Sequence, residues 1–222
     1  MKLYRLGASA KREWVISSLL LFVFVFIFAR FADELAENGL TRFDLSIIER
    51  VQGMTAPELT AIMKVLTSLG STAAVVLLLL LLVVFLLRQK KRWEALFLVV
   101  AAGGGGLFNL LLKRTFERPR PDIQRLIEIT GYSFPSGHSM IAVIFYGMLG
   151  IFCSMYVKSG FLKIFIGGMA IVLILMIGLS RVYLGVHYPS DVIAGFAAGG
   201  AWLLICLMGW RTVMNVQFHD GD

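Results

Sequence analysis

The 222-residue sequence predicts an all-α protein, a bundle of six transmembrane helices with short interfacial helices in the first outer loop. Three observations support this fold class and a single integral membrane domain over residues 1–222. The composition is 58% hydrophobic and only 16% charged. The mean hydropathy of +0.81 is too high for a soluble domain of this size. Six long runs lack charged residues and histidine, and each is about as long as a helix that crosses roughly 30 Å of hydrocarbon.

These six runs define the approximate transmembrane spans. The spans are 14–32, 67–87, 94–112, 139–157, 163–180 and 192–210. The first span must extend two residues beyond Arg30 to reach the required length. It follows a basic N-terminus with Lys2 and Arg5, as a signal peptide would. No small-residue cleavage site comes after it, so an uncleaved first helix is favoured.

Basic residues predict the orientation of the spans. Four cations between Arg88 and Arg92 crowd the connection between the second and third spans. The positive-inside rule places this connection and the basic N-terminus in the cytoplasm. Residues 30–64, 113–138 and 181–191 then lie on the outer face. Because residues 30–64 are partly amphipathic, short helices at the interface are favoured over a lid above a site.

Glycines within the spans indicate close contact between helices. They occur as Gly103–Gly106 in the third span, Gly167-Gly168 in the fifth, and Gly195 and Gly199 in the sixth. Small residues allow helix backbones to approach each other in a membrane. Packing is therefore favoured over a hinge or a gate.

The formal net charge of +7 raises the possibility of an anionic partner. No basic helix or platform of aromatic and basic residues accompanies it, so nucleic acid is not expected. Cys153 and Cys206 both lie in apolar runs, and a disulfide framework is not implied. The excess charge fits loops that flank a membrane and a site for an anion.

Three polar islands interrupt the apolar sequence, and all lie on the predicted outer face. The first contains five cations within residues 113–125, with two X-Pro steps that oppose a continuing helix. The second is Pro135–His138, where Ser136 is expected to cap a new helix whose free N–H groups can bind an anion. The third covers residues 180–191.

Together the islands bring cations, two histidines and a carboxylate to one membrane face. Lys113, Arg120 and Arg181 suit the three non-bridging oxygens of a phosphoryl group. A histidine can attack phosphorus, and an aspartate bound to its other ring nitrogen would fix the tautomer. Asp191 follows His187 by four residues, which makes such a bond sterically reasonable. The second histidine can protonate the leaving oxygen, and no ligand cluster in the sequence requires a metal.

The islands resemble the type 2 phosphatidic acid phosphatase family of membrane lipid phosphatases, which shares its site with vanadium haloperoxidases. The family pattern is Lys, six residues, Arg-Pro; then Pro-Ser-Gly-His; then Ser-Arg, five residues, His, three residues, Asp. The matching residues are Lys113, Arg120-Pro121, Pro135-Ser136-Gly137-His138, Ser180-Arg181, His187 and Asp191. A second Arg-Pro, at Arg118, has the wrong spacing, so Arg120 is the expected phosphate ligand.

The resemblance implies a role for each matching residue. His187 would be the nucleophile that forms a phosphohistidine, Asp191 its orienting partner, and His138 the general acid. The phosphate would be held by a second group of residues, Lys113, Arg120, Ser136, Gly137 and Arg181. Neither a metal nor a cofactor is implied.

The resemblance also implies an activity and a location. The expected reaction is hydrolysis of the phosphomonoester or pyrophosphate of a lipid such as phosphatidylglycerophosphate, undecaprenyl pyrophosphate or phosphatidate. The expected location is the bacterial inner membrane, with the site on the extracytoplasmic face and lipids as the partners. A phosphotransferase that passes the phosphoryl group to a lipid or sugar acceptor is the alternative. An anion transporter is disfavoured because the spans contain few strongly polar residues beyond Asn109.

Overall fold

A computed structural model describes residues 8–37 and 39–219, with side chains described for residues 12–37 and 39–215. These described residues form eight α-helices and no β-strand. The helices are α1 (Ala8–Ala36), α2 (Thr41–Gln52), α3 (Pro57–Leu69), α4 (Thr72–Arg88), α5 (Arg92–Phe116), α6 (Gly137–Met155), α7 (Gly160–Tyr183) and α8 (Pro189–His219). Lys2 and Arg5, which contribute to the predicted orientation, lie outside the described residues.

Five helices are long and apolar enough to cross a membrane, namely α1, α5, α6, α7 and α8. A sixth span results if α3 and α4 are counted together, although they meet at an angle of 50°. The predicted second span, 67–87, is therefore not one straight helix. The break lies at Gly70 and Ser71, where the Ser71 hydroxyl accepts a hydrogen bond from the Ala74 N–H at 3.2 Å and starts α4. The chain is a multi-pass membrane protein.

Helix α6 lies at the centre of the bundle. It packs against α5, α7 and α8, while α1 packs on α8 and α4 packs on α5. Half of the most apolar segment of α6 is buried, against 6% of the corresponding segment of α1. Ile144 and Phe145 of α6 are completely buried. The central helix therefore begins at the second polar island and fixes the position of that island.

The short helices α2 and α3 pack over the ends of α7 and α8, as expected for the first outer loop. Ile48 of α2 packs against Val192 at the start of α8. Met63 of α3 packs against Leu184, just beyond the end of α7. Both short helices therefore support the segment that carries the third polar island.

The glycines of the spans divide into packed and unpacked groups. A Cβ at Gly195 or Gly199 would lie 2.7 or 2.6 Å from a backbone oxygen at the start of α6, as close packing requires. Nothing lies within 4 Å of a Cβ at Gly167-Gly168, so the packing prediction is wrong for that pair. Gly103 and Gly106 are also unpacked. They line a cavity instead.

Candidate active site

The three polar islands meet at one end of the bundle, beside a cavity of about 460 Å³. The polar side chains that line this cavity are Thr72, Asn109, Lys113, Arg120, His138 and His187. Three further predicted site residues, Ser136, Arg181 and Asp191, are buried. Residues from three separate segments of the sequence are thus assembled around one space.

His187 occupies the short connection between α7 and α8. Gly185 begins the turn with φ of +71°, and a Cβ there would collide with the backbone oxygen of Gln124, so only glycine fits. His187 Nδ1 lies 3.2 Å from Asp191 Oδ2, and Nε2 lies 3.2 Å from Arg120 Nη1. A carboxylate can only accept and a guanidinium can only donate. The two contacts therefore favour the tautomer with hydrogen on Nδ1 and a lone pair on Nε2.

Burial also affects the protonation of His187. It lowers the pKa of His187 to about 4, although Asp191 raises it, and Arg181 and Arg120 lower it further. The imidazole is consequently neutral near pH 7. A neutral ring with its lone pair on Nε2 is the form that can act as a nucleophile.

Arg120 is held in place by the loop that contains it and by the turn before His187. Its Nε donates to the Gly131 carbonyl at 2.9 Å, and its Nη1 donates to the Val186 carbonyl at 2.8 Å. Burial lowers the pKa of Arg120, and Asp191 counteracts part of that effect. Lys113 Nζ donates to the carbonyl of Tyr132. Backbone carbonyls thus position two of the predicted phosphate-binding cations at the cavity.

The N-terminus of α6 lies at the cavity. The Ser136 hydroxyl accepts from the Ser139 N–H at 3.4 Å, as a capping residue does. The Ser136 N–H donates to the Asp191 carbonyl at 2.9 Å, which joins the second island to the third. Gly137 and His138 line the cavity, and the first N–H groups of a helix have no partner within the helix. They can accordingly donate to an anion.

Arg181 lies at the end of α7 and is 1% exposed. Its Nη1 donates to the Thr67 hydroxyl at 2.6 Å. Its Nε and Nη2 are buried and have no hydrogen-bond partner within the described part of the chain. Unpaired donors on a buried guanidinium are rare in folded proteins, and they suit an anion that accepts from both.

Three residues that contact the site were not assigned to it from the sequence. Arg118 contacts Asp191, Asp44 contacts Arg118, and Thr67 contacts Arg181. The repeated Arg-Pro was a signal for Arg118, but its spacing argued against a phosphate ligand. No local signal distinguishes Asp44 or Thr67 from other polar residues of an amphipathic helix.

The fold and the site define a multi-pass membrane protein with a buried His–Asp pair beside a cationic pocket. The profile of the PAP2 superfamily matches residues 93–214. That segment includes more than half of the sequence and all three islands, and the chain belongs to the PAP2 superfamily.

Similarity to individual proteins agrees with this membership. Phosphatidylglycerophosphatase B of Bacillus subtilis (strain 168) is 32% identical over 159 residues, an alignment that covers 66% of this chain and 77% of the relative. The crystal structure of a transmembrane PAP2 type phosphatidylglycerolphosphate phosphatase from Bacillus subtilis matches with a TM-score of 0.82 and 28% identity, covering 87% of this chain and 96% of that one. The crystal structure of Aquifex aeolicus LpxE matches with a TM-score of 0.62 and 26% identity, and the match covers 75% of this chain and 95% of that one.

Proposed function

We propose that this chain is a membrane lipid phosphatase that hydrolyses a phosphomonoester or pyrophosphate through a phosphohistidine. The single observation that carries the proposal is the setting of His187, whose Nε2 faces Arg120 at the cavity while Nδ1 contacts Asp191. Membership of the PAP2 superfamily supports it. Among possible substrates, phosphatidylglycerophosphate has the most support, because a relative and a structural neighbour are named for it. Undecaprenyl pyrophosphate and phosphatidate remain candidates.

In the first step, His187 Nε2 attacks phosphorus and the bond from phosphorus to the leaving oxygen breaks. The leaving oxygen is the ester oxygen of a lipid phosphomonoester, or the bridging oxygen of a lipid pyrophosphate. Asp191 stabilises the imidazolium that develops on His187. His138 donates a proton to the leaving oxygen, and the negative charge of a bound phosphate favours the protonated ring that this role needs. The products are the free lipid alcohol, or the lipid monophosphate when the substrate is a pyrophosphate, and a phosphohistidine.

In the second step, water attacks phosphorus and the bond to His187 breaks. His138, which lost its proton in the first step, takes a proton from this water. Lys113, Arg120 and Arg181 neutralise charge on the phosphoryl oxygens in both steps. Inorganic phosphate leaves and both histidines return to their starting forms.

The shape of the cavity supports a lipid as the substrate. From its charged end, the lining continues along α4 with Val75, Val76 and Leu79. On the opposite wall it continues along α5, where Gly103 and Gly106 leave space for an acyl chain. Because α4 and α5 both face the bilayer, a lipid could enter sideways with its phosphate at the histidines.

The test is release of free phosphate from a panel of lipid phosphates by the purified protein in detergent. The panel contains phosphatidylglycerophosphate, undecaprenyl pyrophosphate and phosphatidate, and His187→Ala is the control. We expect phosphate release from at least one lipid, and none from the variant. Labelled phosphate that appears in a lipid or sugar without free phosphate would identify a phosphotransferase instead.

We also propose that the reaction needs no added metal. The support is the set of three cations that can neutralise phosphoryl charge, and a histidine suited to a trigonal-bipyramidal phosphate mimic. Activity should persist in EDTA and be inhibited by vanadate. Activity that is lost in EDTA and restored only by Mg²⁺ would contradict this part of the proposal.

The proposed location is a bacterial inner membrane with the site on the extracytoplasmic face. The support is the cluster of cations between Arg88 and Arg92, at the opposite end of α4 from Gly70 and His138. Gln124 and Gln89 are both exposed, so each can be replaced by cysteine in a background without the exposed Cys153. An impermeant maleimide should label position 124 in intact cells and leave position 89 unlabelled. The reverse pattern would place the site in the cytoplasm.

A further inference from the structure

Arg118 and Asp44 form a buried charge network behind the His187–Asp191 pair. Arg118 Nη1 donates to Asp191 Oδ1 at 2.6 Å, and Nη2 donates to Asp44 Oδ2 at 2.8 Å. The side chains of both aspartates are 0% exposed, and that of Arg118 is 10% exposed. We propose that Arg118 is a positioning residue that holds Asp191 in the orientation that supports His187. The inference rests on the proposed function, in which His187 is the nucleophile.

The two oxygens of Asp191 have different partners. Oδ2 accepts from the Tyr188 N–H at 2.9 Å and lies 3.2 Å from His187 Nδ1. Oδ1 accepts from Arg118 in a charge-assisted hydrogen bond. Rotation of the carboxylate would break contacts on both oxygens at once. Arg118 therefore keeps Oδ2 directed at Nδ1, and with it the lone pair of Nε2 directed at the cavity.

Arg118 is itself held by Asp44, which lies outside the three polar islands, and by Tyr188 of the third island. Asp44 of α2 accepts from the Ser190 N–H at 2.9 Å and from the Ser190 hydroxyl at 2.7 Å, so it caps α8 from another helix. The Arg118 guanidinium lies 3.9 Å from the centre of the Tyr188 ring. The first outer loop consequently braces the turn that carries both His187 and Asp191.

Arg118 differs from Arg120 in its relation to the cavity. Arg120 lines the cavity and contacts Nε2, the proposed attacking atom. Arg118 does not line this cavity, and of the His187–Asp191 pair it contacts only Asp191, at the oxygen that faces away from His187. A substrate would meet Arg120 but not Arg118. Loss of Arg118 should therefore change the rate of the chemical step more than the binding of substrate.

Arg118→Lys tests the geometry, because lysine keeps the charge but cannot hold two carboxylates in one planar fork. We expect kcat to fall about 10- to 100-fold, the usual size for a hydrogen bond to a charged group, and KM to change less than about threefold. The matched control is Arg114→Lys, at an exposed position near the end of α5. It should leave kcat within about twofold. Unfolding temperatures measured in the same detergent identify any variant that is merely misfolded.

A double-mutant cycle with Asp191→Asn decides whether Arg118 acts through Asp191. In the Asp191→Asn background, Arg118→Lys should lower kcat on an aryl phosphate by less than about threefold, because the oriented carboxylate is already lost. A second cycle pairs Asp44→Asn with Arg118→Lys and does not depend on residual activity of the Asp191 variant. It too should be non-additive.

The outcomes separate the inference from the proposed function. Two results would overturn the positioning role. One is an equal fall in kcat on Arg118→Lys substitution in the wild-type and variant backgrounds of both cycles. The other is a rise in KM with kcat unchanged. A wild-type protein that releases no phosphate from any lipid phosphate, or a fully active His187→Ala variant, would overturn the proposed function. An active wild type, an inactive His187→Ala variant and additive cycles would refute the Arg118 inference alone.

Discussion

The two sides of the candidate site differ in how completely their polar groups are paired within the protein. The nucleophile side, named for the proposed role of His187, consists of His187, Asp191, Arg118 and Asp44. Each of these side chains has at least one charged or polar partner. The phosphate side, named for its proposed role, includes Lys113, Arg120, Arg181 and His138. Backbone carbonyls hold Lys113 and Arg120, whereas the side chains of Arg181 and His138 are incompletely paired. Two nitrogen atoms of Arg181 are buried without a partner, and no hydrogen bond to the His138 ring occurs within the described residues.

This difference indicates that one group of residues is held in a fixed geometry before substrate arrives, and that the other has hydrogen-bond donors available for the substrate. A buried network in which every group is paired resists reorientation, as a nucleophile and its orienting carboxylate require. A buried guanidinium with free donors gains most when an anion arrives, because only then are those donors satisfied. We therefore expect the nucleophile side to stay in place, and Arg181 and His138 on the phosphate side to gain partners when a ligand binds.

The largest expected effect comes from the nucleophile side. His187→Ala removes the proposed attacking nitrogen, so activity should fall by at least about 10⁴-fold on both a lipid phosphate and an aryl phosphate. No acid-labile phosphoenzyme should form in a rapid-quench experiment with labelled substrate. An acid-labile phosphoenzyme that survives in this variant would show that another residue is the nucleophile.

Replacement of His138 on the phosphate side should give a selective loss. An alkoxide that leaves from a lipid needs a proton, whereas a nitrophenolate is already stable as an anion. His138→Ala should lower kcat on a lipid phosphate by about 10²–10⁴-fold and retain more activity on the aryl phosphate. The measurement compares both substrates in the same preparation. Equal losses on the two would argue against a general-acid role.

The sequence predicted an all-helical fold with several transmembrane helices, because a bilayer imposes the length of each apolar run. Helices α5 to α8 each extend a few residues beyond at least one end of their predicted spans. The second span was less accurate, since hydropathy does not register the break between α3 and α4. Gly70 and the capping Ser71 were visible there, but they lie inside an uncharged run.

The site was predictable where its residues are close in sequence and unpredictable where they are not. Asp191 lies four residues from His187, across the turn that starts α8, so the short spacing alone made their contact sterically reasonable. Asp44 contacts Ser190 across 146 residues, and Thr67 contacts Arg181 across 114. Such contacts depend on how α2 and α3 pack over the bundle, which no local pattern specifies. The second Arg-Pro at Arg118 was visible in the sequence, but the contacts of Arg118 with Asp44 depend on that packing as well.

The third prediction concerns Thr67, which contacts Arg181 on the phosphate side. Thr67→Val removes the only hydrogen-bond partner that the Arg181 guanidinium has within the described residues, and valine keeps the shape of the side chain. Without this hydrogen bond the Arg181 guanidinium is no longer held in one orientation toward the bound anion. The inhibition constant of vanadate should therefore rise about tenfold. Thr115→Val, at an exposed position on α5, is the matched control. An unchanged inhibition constant would mean that Thr67 does not position Arg181.

The smallest effect is expected in the apolar part of the cavity, which belongs to neither side. A Cβ at Gly106 would meet nothing within 4 Å, so Gly106→Leu should fold and fill space between α4 and α5. Loss of one or two buried methylene contacts of an acyl chain should lower kcat/KM on a lipid phosphate about three- to tenfold. A water-soluble aryl phosphate needs only the charged end of the cavity, so its kcat/KM should stay within about twofold. Gly168→Leu is the control, because this position is equally unhindered but lies on α7 and outside the cavity lining. It should leave kcat/KM on both substrates unchanged.

Two results for Gly106→Leu would contradict this prediction. Equal losses of kcat/KM on both substrates would mean that the substitution disturbs the polar residues of the site. An unchanged kcat/KM on the lipid phosphate would mean that the acyl chain binds elsewhere.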